Sequence, residues 1–394
     1  MKEGWEYKKL GEVCRIERGG SPRPIKDFIT NSPDGLNWIK IGDTDPQGKY
    51  IYSTKEKIKP EGLRKSRWVE VDEFLLSNSM SFGRPYILKT NGCIHDGWLV
   101  LRDYQNSLII DYFYYLLISP HVQNQFRTKA QGSTVSNLNT DRVADVNIAF
   151  PPLSEQQSIV DYLDSAFAKI DAMKANAEKN LNEAKALFQA SLKEMLEPKE
   201  GWVTSTLKDE CYKITDGTHQ TPKYYPSGYI FLSSRNVTSR KIDWEDVKFI
   251  DESQHQLMYK RVAPQVGDIL LAKNGTTGVA AMVDRDVVFD IYVSLALLRS
   301  RGNVTPEYLL AFVNSPIAKE QFDKRLIGMG VPNLHLGEIN QVVITYPQDK
   351  VEQIRMTQRI EELDCLIIRL QENYDKISQE CDALKQSILR QVFE

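Results

Sequence analysis

From Ile360 to Ile388 an apolar residue returns at every third or fourth position: Ile360, Leu363, Ile367, Leu370, Tyr374, Ile377, Cys381, Leu384, Ile388. That alternation is the seam of a helix packed along another helix. Residues 348–394 contain neither Gly nor Pro, and neither do residues 153–197. Two helices of roughly 43 residues are predicted, each about 65 Å long at 1.5 Å per residue. Ser154 with Gln157, and Asp349 with Glu352, supply the opening caps, and Pro198 closes the first helix. At the matching positions the first helix reads Leu163, Ala166, Ile170, Met173, Ala177, Asn180, Ala184, Leu187, Ser191. Large residues facing small ones suit interdigitation, so the two helices are expected to pair; either orientation is possible, and a pseudo-twofold duplication favours antiparallel.

Elsewhere the pattern is mixed. Trp38–Ile41, Asp72–Ser77, Phe231–Leu232 and Asp268–Ala272 read as strands, and Val143–Phe150 and Val342–Tyr346 as closing strands. Residues 107–118 and 305–314 read as helices that stop before Ser-Pro. The fold class is therefore α+β: two α/β domains and two long helices in an antiparallel, pseudo-twofold coiled coil. The expected boundaries are 1–152, 153–198, 199–347 and 348–394.

The halves are copies. Lys2–Trp5 recurs as Lys199–Trp202, and Leu10 and Cys14 return as Leu207 and Cys211, at an offset of 197. Ser119-Pro120, Gln125-Phe126 and Asn137-Leu138 return at an offset of 196. A period this long marks a duplicated domain plus connector, not a solenoid repeat. A duplicated domain suits a target that also comes in two halves.

Charge changes this picture only when divided. The whole chain carries −3, whereas residues 1–150 carry +3, residues 201–347 carry 0, and the two helical segments carry −3 each. A basic face on the domains is thus permitted. No apolar run approaches a membrane span, and the N-terminus has no signal-peptide pattern. The five cysteines include no Cys-x-x-Cys pair and read as free thiols in a reducing cytoplasm.

The search for catalytic chemistry is negative. His95, His121, His219, His255 and His335 lie apart from one another, without metal-ligand spacing. No phosphate-binding glycine loop occurs. Phe150-Pro151-Pro152-Leu153 looks like the motif of amino-methyltransferases but lacks its polar first residue, and Pro33-Asp34 is not followed by a nuclease acid-x-Lys. What recurs is loop chemistry suited to phosphates and base edges. In the first half it comprises Arg18, Ser21 and Arg23, then Asn78, Ser81 and Arg84, then Lys129, Ser133, Thr134 and Asn137. In the second half it comprises Thr218, His219 and Arg235, then Lys273, Asn274 and Thr276, then Arg325 and Asn333. Gly83 and Gly278 frame loops with different tips, as two readers of different sequences would have.

The run Ser119-Pro120, Gln125-Phe126, Gly132-Ser133-Thr134, Asn137-Leu138, Pro151-Pro152-Leu153, Glu155–Val160 resembles the end of a target-recognition domain in type I restriction–modification specificity subunits. The second copy departs from it at Pro347–Lys350 and Gly330–Pro332. The resemblance implies a non-catalytic, cytoplasmic subunit. Each of its domains reads one half of a split site in double-stranded DNA, and its paired helices act as spacer. Two methyltransferase subunits carrying S-adenosylmethionine would dock on it, as would motor/endonuclease subunits using ATP and Mg²⁺. No cofactor or metal is expected on this chain, and no membrane. Gln156, Gln157, Gln353 and Arg359 are the expected docking residues on the helices. A stand-alone duplicated DNA-binding regulator and a coiled-coil scaffold are the alternatives; the first would usually carry a helix-turn-helix, and none is evident.

Overall fold

In each half, one run of apolar strands is buried on both faces, and the rest is arranged around it. In the first half the strand Phe74–Ser77 sends Phe74 and Leu76 into a core with helices, and Leu75 into a second core on the other face. Its neighbour Trp98–Arg102 does the same, with Leu99 and Leu101 on one side and Trp98 and Val100 on the other. Alternate side chains leave a strand on opposite faces, so continuous apolar runs mark a sheet covered twice.

The computed structural model describes residues 3–46, 48–78, 83–130, 138–238, 240–326 and 333–394. The chain divides into two units: residues 1–176 with 376–394, and residues 177–375. Both long helices, Leu153–Leu196 and Lys350–Phe393, contribute to both units.

In the first unit the inner sheet runs Arg15–Arg18, Trp98–Arg102, Phe74–Ser77, Pro85–Leu88, Tyr50–Ile51. An outer sheet runs Ile29–Thr30, Glu56–Ile58, Leu36–Ile39, Gly92–Ile94, Arg67–Val69. Glu6–Lys9 pairs antiparallel with Asn147–Phe150. Helices Ile110–Ile118 and Pro120–Ala130 cover the inner sheet through Tyr112, Phe113 and Phe126. That core also takes Val160 and Leu163 from the first long helix and Leu389 and Phe393 from the second. Lys385 meets Asp171 at 2.5 Å and Lys174 meets Asp382 at 3.2 Å. Three residues up one helix match three down the other, so the pair is antiparallel.

The second unit repeats the plan with fewer strands. Its inner sheet runs Cys211–Asp216, Leu295–Ser300, Ile269–Ala272, Ala280–Met282, and its outer sheet Lys248–Ile250, Tyr229–Leu232, Phe289–Ile291. Val203–Thr206 pairs with Val343–Tyr346. Leu271 and Leu298 face one core, Leu270 and Leu297 the other. Phe188, Leu192 and Leu196 pack in the same cluster as Ile360, Met356, Leu363 and Ile367, and Lys185 donates to Gln371 at 2.6 Å.

The helix seam differs from its prediction by one residue at alternate contacts. Leu163 and Ile170 are buried as expected, and Ala177 and Ala184 are half-buried. Met173, Leu187, Leu370 and Leu384, however, are 58, 69, 42 and 47% exposed, and Asn180 is exposed. Phe167, Lys174, Leu181 and Phe188 face inward instead. Spacings of 3-4 and 4-3 share every seventh residue, and the bulk of Phe167, Leu181 and Phe188 decides between them. The first helix also begins at Leu153, so Ser154 lies inside it. Asp349 does cap the second helix, accepting from Val351 N at 2.9 Å.

Candidate nucleic-acid interface

In both units the chain passes from inner to outer sheet through a glycine that no other residue could replace without moving backbone. A Cβ on Gly19 would stand 2.2 Å from the His95 carbonyl oxygen, and one on Gly217 would stand 1.9 Å from that of Ile291. This crossing places the residues on either side of the glycine at the rim of the two sheets.

In the first unit the rim is organised by Asp96, a residue the sequence reading passed over. Ser21 Oγ donates to its carboxylate at 2.6 Å, and the exposed Arg23 guanidinium lies 3.5 Å away. Its backbone carbonyl accepts from Arg18 Nε at 3.1 Å and Asn78 Nδ2 at 2.8 Å. The Ser21 hydrogen bond holds the Asp96 carboxyl below its ordinary range, more than burial raises it, and His95 and Arg23 add to the effect. Four predicted residues thus meet at Asp96, two at its carboxylate and two at its backbone carbonyl. Asn78 is buried and its Oδ1 has no partner. Beside the cluster lies a cavity of about 970 Å³, lined among others by Arg23, Lys26, Trp38, Lys40 and His95.

The second unit has a different hub at the equivalent strand. Arg18 pairs with Leu99, and Asp216 pairs with Ala296, the counterpart of Leu99. Asp216 accepts from Lys273 Nζ at 2.7 Å and from Arg261 at 2.5 Å, with His219 Nε2 at 3.4 Å. Burial would raise its carboxyl, but the bond and charge of Lys273, with His219, outweigh it and hold it below the ordinary value. Thr218 lies beside the hub, bridging to Tyr292. Asn274 and Asn333 form a backbone bridge with each other, and the Oδ1 of each is buried without a partner. Thr276 is exposed.

Of the predicted contacts Lys273 is corrected, and several others are engaged within the protein. Lys273 is 4% exposed and tied to Asp216, so it cannot reach a nucleic acid. Lys129 is bound to Asp145 at 2.5 Å, and the Arg84 guanidinium lies over the Tyr86 ring. Arg325 donates to Gln321 O at 3.0 Å and faces Glu338. Arg235, paired loosely with Asp246 at 3.4 Å, stays exposed. Ser81, Ser133, Thr134 and Asn137 lie outside the described residues.

Gln156 and Gln353 are corrected too, because both are fully buried. Gln156 donates to Ser107 O and Pro151 O and accepts from Ile109 N, at 2.8, 2.9 and 3.0 Å. Gln353 donates to Asn303 O and Pro347 O and accepts from Thr305 N, at 3.0, 2.8 and 2.8 Å. Each pins its long helix to its own domain. Gln157 and Arg359 remain on the exposed side, bonded to Asp161 and Glu362 along their helices. Exposed apolar residues lie on the same helices: Leu153 and Tyr162 on the first, Val351 and Ile354 on the second.

A duplicated two-sheet domain, keyed by one glutamine to a long helix in each copy, is a specific combination. The model of the type I restriction modification DNA specificity domain matches residues 2–183. The chain thus resembles the type I restriction–modification specificity family over its first half. It is 24% identical to the type I restriction enzyme EcoKI specificity subunit of Escherichia coli K12, across 100% of this chain and 89% of that protein. It is 23% identical to the MjaVIII specificity subunit of Methanocaldococcus jannaschii, across 93% and 88%. Among solved structures, a chain from a type I R-M system studied for its complex assembly and conformational transition superposes with a TM-score of 0.74. It is 19% identical and covers 99% of this chain and 97% of its own. The HsdS subunit of Thermoanaerobacter tengcongensis superposes at 0.57, with 18% identity and coverage of 100% and 97%. At these identities the structures speak for the fold.

Proposed function

We propose that this chain is the DNA-reading subunit of a type I restriction–modification complex. Each unit reads one half of a bipartite duplex target. The observation that carries this is sameness of frame with difference of rim. The glycine crossing and the buried glutamine recur in both units, while the rim hub is Asp96 with Arg18, Ser21 and Arg23 in one and Asp216 with Lys273, Arg261 and His219 in the other. Similar frames fixed by packing, carrying different side chains at the rim, suit two readers of different half-sites.

The chain supplies recognition, and its partners supply the chemistry. Two methyltransferase subunits, carrying S-adenosylmethionine, dock on the exposed faces of the long helices near Gln157 and Arg359. Motor and endonuclease subunits bring ATP and Mg²⁺, and the assembly works in the cytoplasm. Replacing residues 1–152 by the corresponding domain of another specificity subunit, then mapping methylated adenines, tests the reading. One half of the methylated motif should change and the other stay. A change in both halves, or in neither, overturns it. Native mass spectrometry should find two methyltransferase subunits per chain.

A further inference from the structure

Two segments of the first unit's outer layer, residues 20–28 and 59–66, are locked against each other. A Cβ on Gly20 would stand 2.7 Å from the Lys65 carbonyl oxygen, and one on the buried Gly62 would meet Ile58, Phe28 and Pro22 at 3.1, 3.3 and 3.5 Å. Lys59 donates its backbone N–H to Phe28 O at 2.8 Å and its Nζ to Asp27 O at 2.7 Å. Gly20 N and Ser66 Oγ both donate to Ile94 O, at 3.1 and 3.0 Å.

Around this joint stand Arg23, Lys26, Lys59, Arg64 and Lys65, all exposed. The acids in the two segments are Asp27 and Glu61, which leaves the patch at +3. Several other cations of the unit are neutralised: Lys40, Lys49, Arg67 and Lys89 each meet a carboxylate at 3.0 Å or less. Among the described residues, no carboxylate lies within 4.0 Å of Lys26, Lys59, Arg64 or Lys65. Arg23 has only Asp96 at 3.5 Å and keeps 81% of its side chain exposed. The outer layer of the second unit engages its arginines differently, pairing Arg235 with Asp246, Arg240 with Asp364 and Arg261 with Asp216.

Uncompensated like charges on a rigid platform repel one another, and the close glycine fit prevents the two segments from spreading apart. A surface of that kind is complementary to a rigid row of anions. We infer that this patch grips the phosphate backbone of the half-site read by the first unit, beside the Asp96 cluster that faces the bases. The inference rests on the DNA-recognition reading above. Backbone contacts of this kind set register and strength and carry no sequence information.

Salt titration of DNA binding by the full-length chain separates the possibilities. Each phosphate contact removed lowers the slope of log K against log salt by about 0.9. Lys26→Gln, Arg64→Gln and Lys65→Gln, singly and together, should flatten the slope stepwise, to a total of roughly 2–3. Cognate and unrelated duplexes should weaken by the same factor, and the methylated motif should not change. The sites are exposed, so each single variant should melt as the parent does. Parent-like slopes in all the variants would overturn the patch while leaving DNA recognition intact. Loss of methyltransferase binding with unchanged DNA affinity would assign the patch to an acidic protein surface and also overturn it. If the parent chain itself shows no salt-dependent binding, the underlying reading fails as well.

Discussion

Lys273 donates to Asp216 at 2.7 Å inside the second unit, with both residues at least 96% buried. A lysine in a polar, glycine-flanked loop looks from sequence like a phosphate ligand, yet here it neutralises an interior carboxylate. Lys273→Met should therefore act on stability. Because Arg261 still faces Asp216, the loss should be about 1.5–3 kcal/mol, the worth of a charge-assisted bond. Adding Asp216→Asn should recover part of it. Urea denaturation checks this; a variant as stable as the parent but altered in its target motif would return Lys273 to the interface.

The paired glutamines make a matched experiment. Replacing Gln156 by Leu strips partners from Ser107 O, Pro151 O and Ile109 N, and the same change at Gln353 strips Asn303 O, Pro347 O and Thr305 N. With buried groups left unpaired, each variant should lose about 2–4 kcal/mol. Hydrogen exchange should show the opening confined to the altered unit. Equal protection everywhere would mean that the glutamines do not hold the helices to their domains.

Along the long helices the seam can be tested by contrast. Leu163, fully buried, should cost about 2–5 kcal/mol when cut to Ala. Leu384, on the same apolar repeat but 47% exposed, should cost within about 0.5 kcal/mol. Thermal melts of the two variants decide it, and comparable losses would place Leu384 in the seam after all.

Acid stability should depend on Asp145. Hydrogen bonds from Lys129 and Lys9 lead in pushing its carboxyl from 3.8 down to about 2. A carboxyl held low stabilises the fold wherever it is ionised. The contribution is therefore full above about pH 4 and is lost as pH falls toward 2. In a comparison of urea midpoints, Asp145→Asn should be weaker than the parent at pH 5, and the gap should close near pH 2. A constant gap would show that the two lysines do not act through this charge.

Most of the frame was legible because its signals are local. Gly- and Pro-free stretches gave the helices, continuous apolar runs such as Ile269–Ala272 gave the doubly covered strands, and the repeat gave the duplication. The rim was only half legible. Arg18, Ser21, Arg23 and Asn78 were named for their loop chemistry, but nothing near them in sequence announces Asp96, which gathers them from about 75 residues away in the case of Ser21. Burial of Lys273 and Gln156 was hidden for the same reason: a polar residue at a loop or helix start reads as exposed until its partners, often dozens of positions distant, are known. The seam error was of another kind, a tie between two spacings that only side-chain volume resolves.

Phe393 packs edge-on against Tyr112, with ring centroids 5.5 Å apart, in the core that also holds Leu10 and Phe74. During synthesis this core therefore waits. Residues 3–176 leave the ribosome without Leu389 and Phe393, and the second unit is made before these arrive. Only when residues 376–393 emerge does the first unit close. Of the two units the one begun first is thus completed last, and for that interval part of its core lacks its cover.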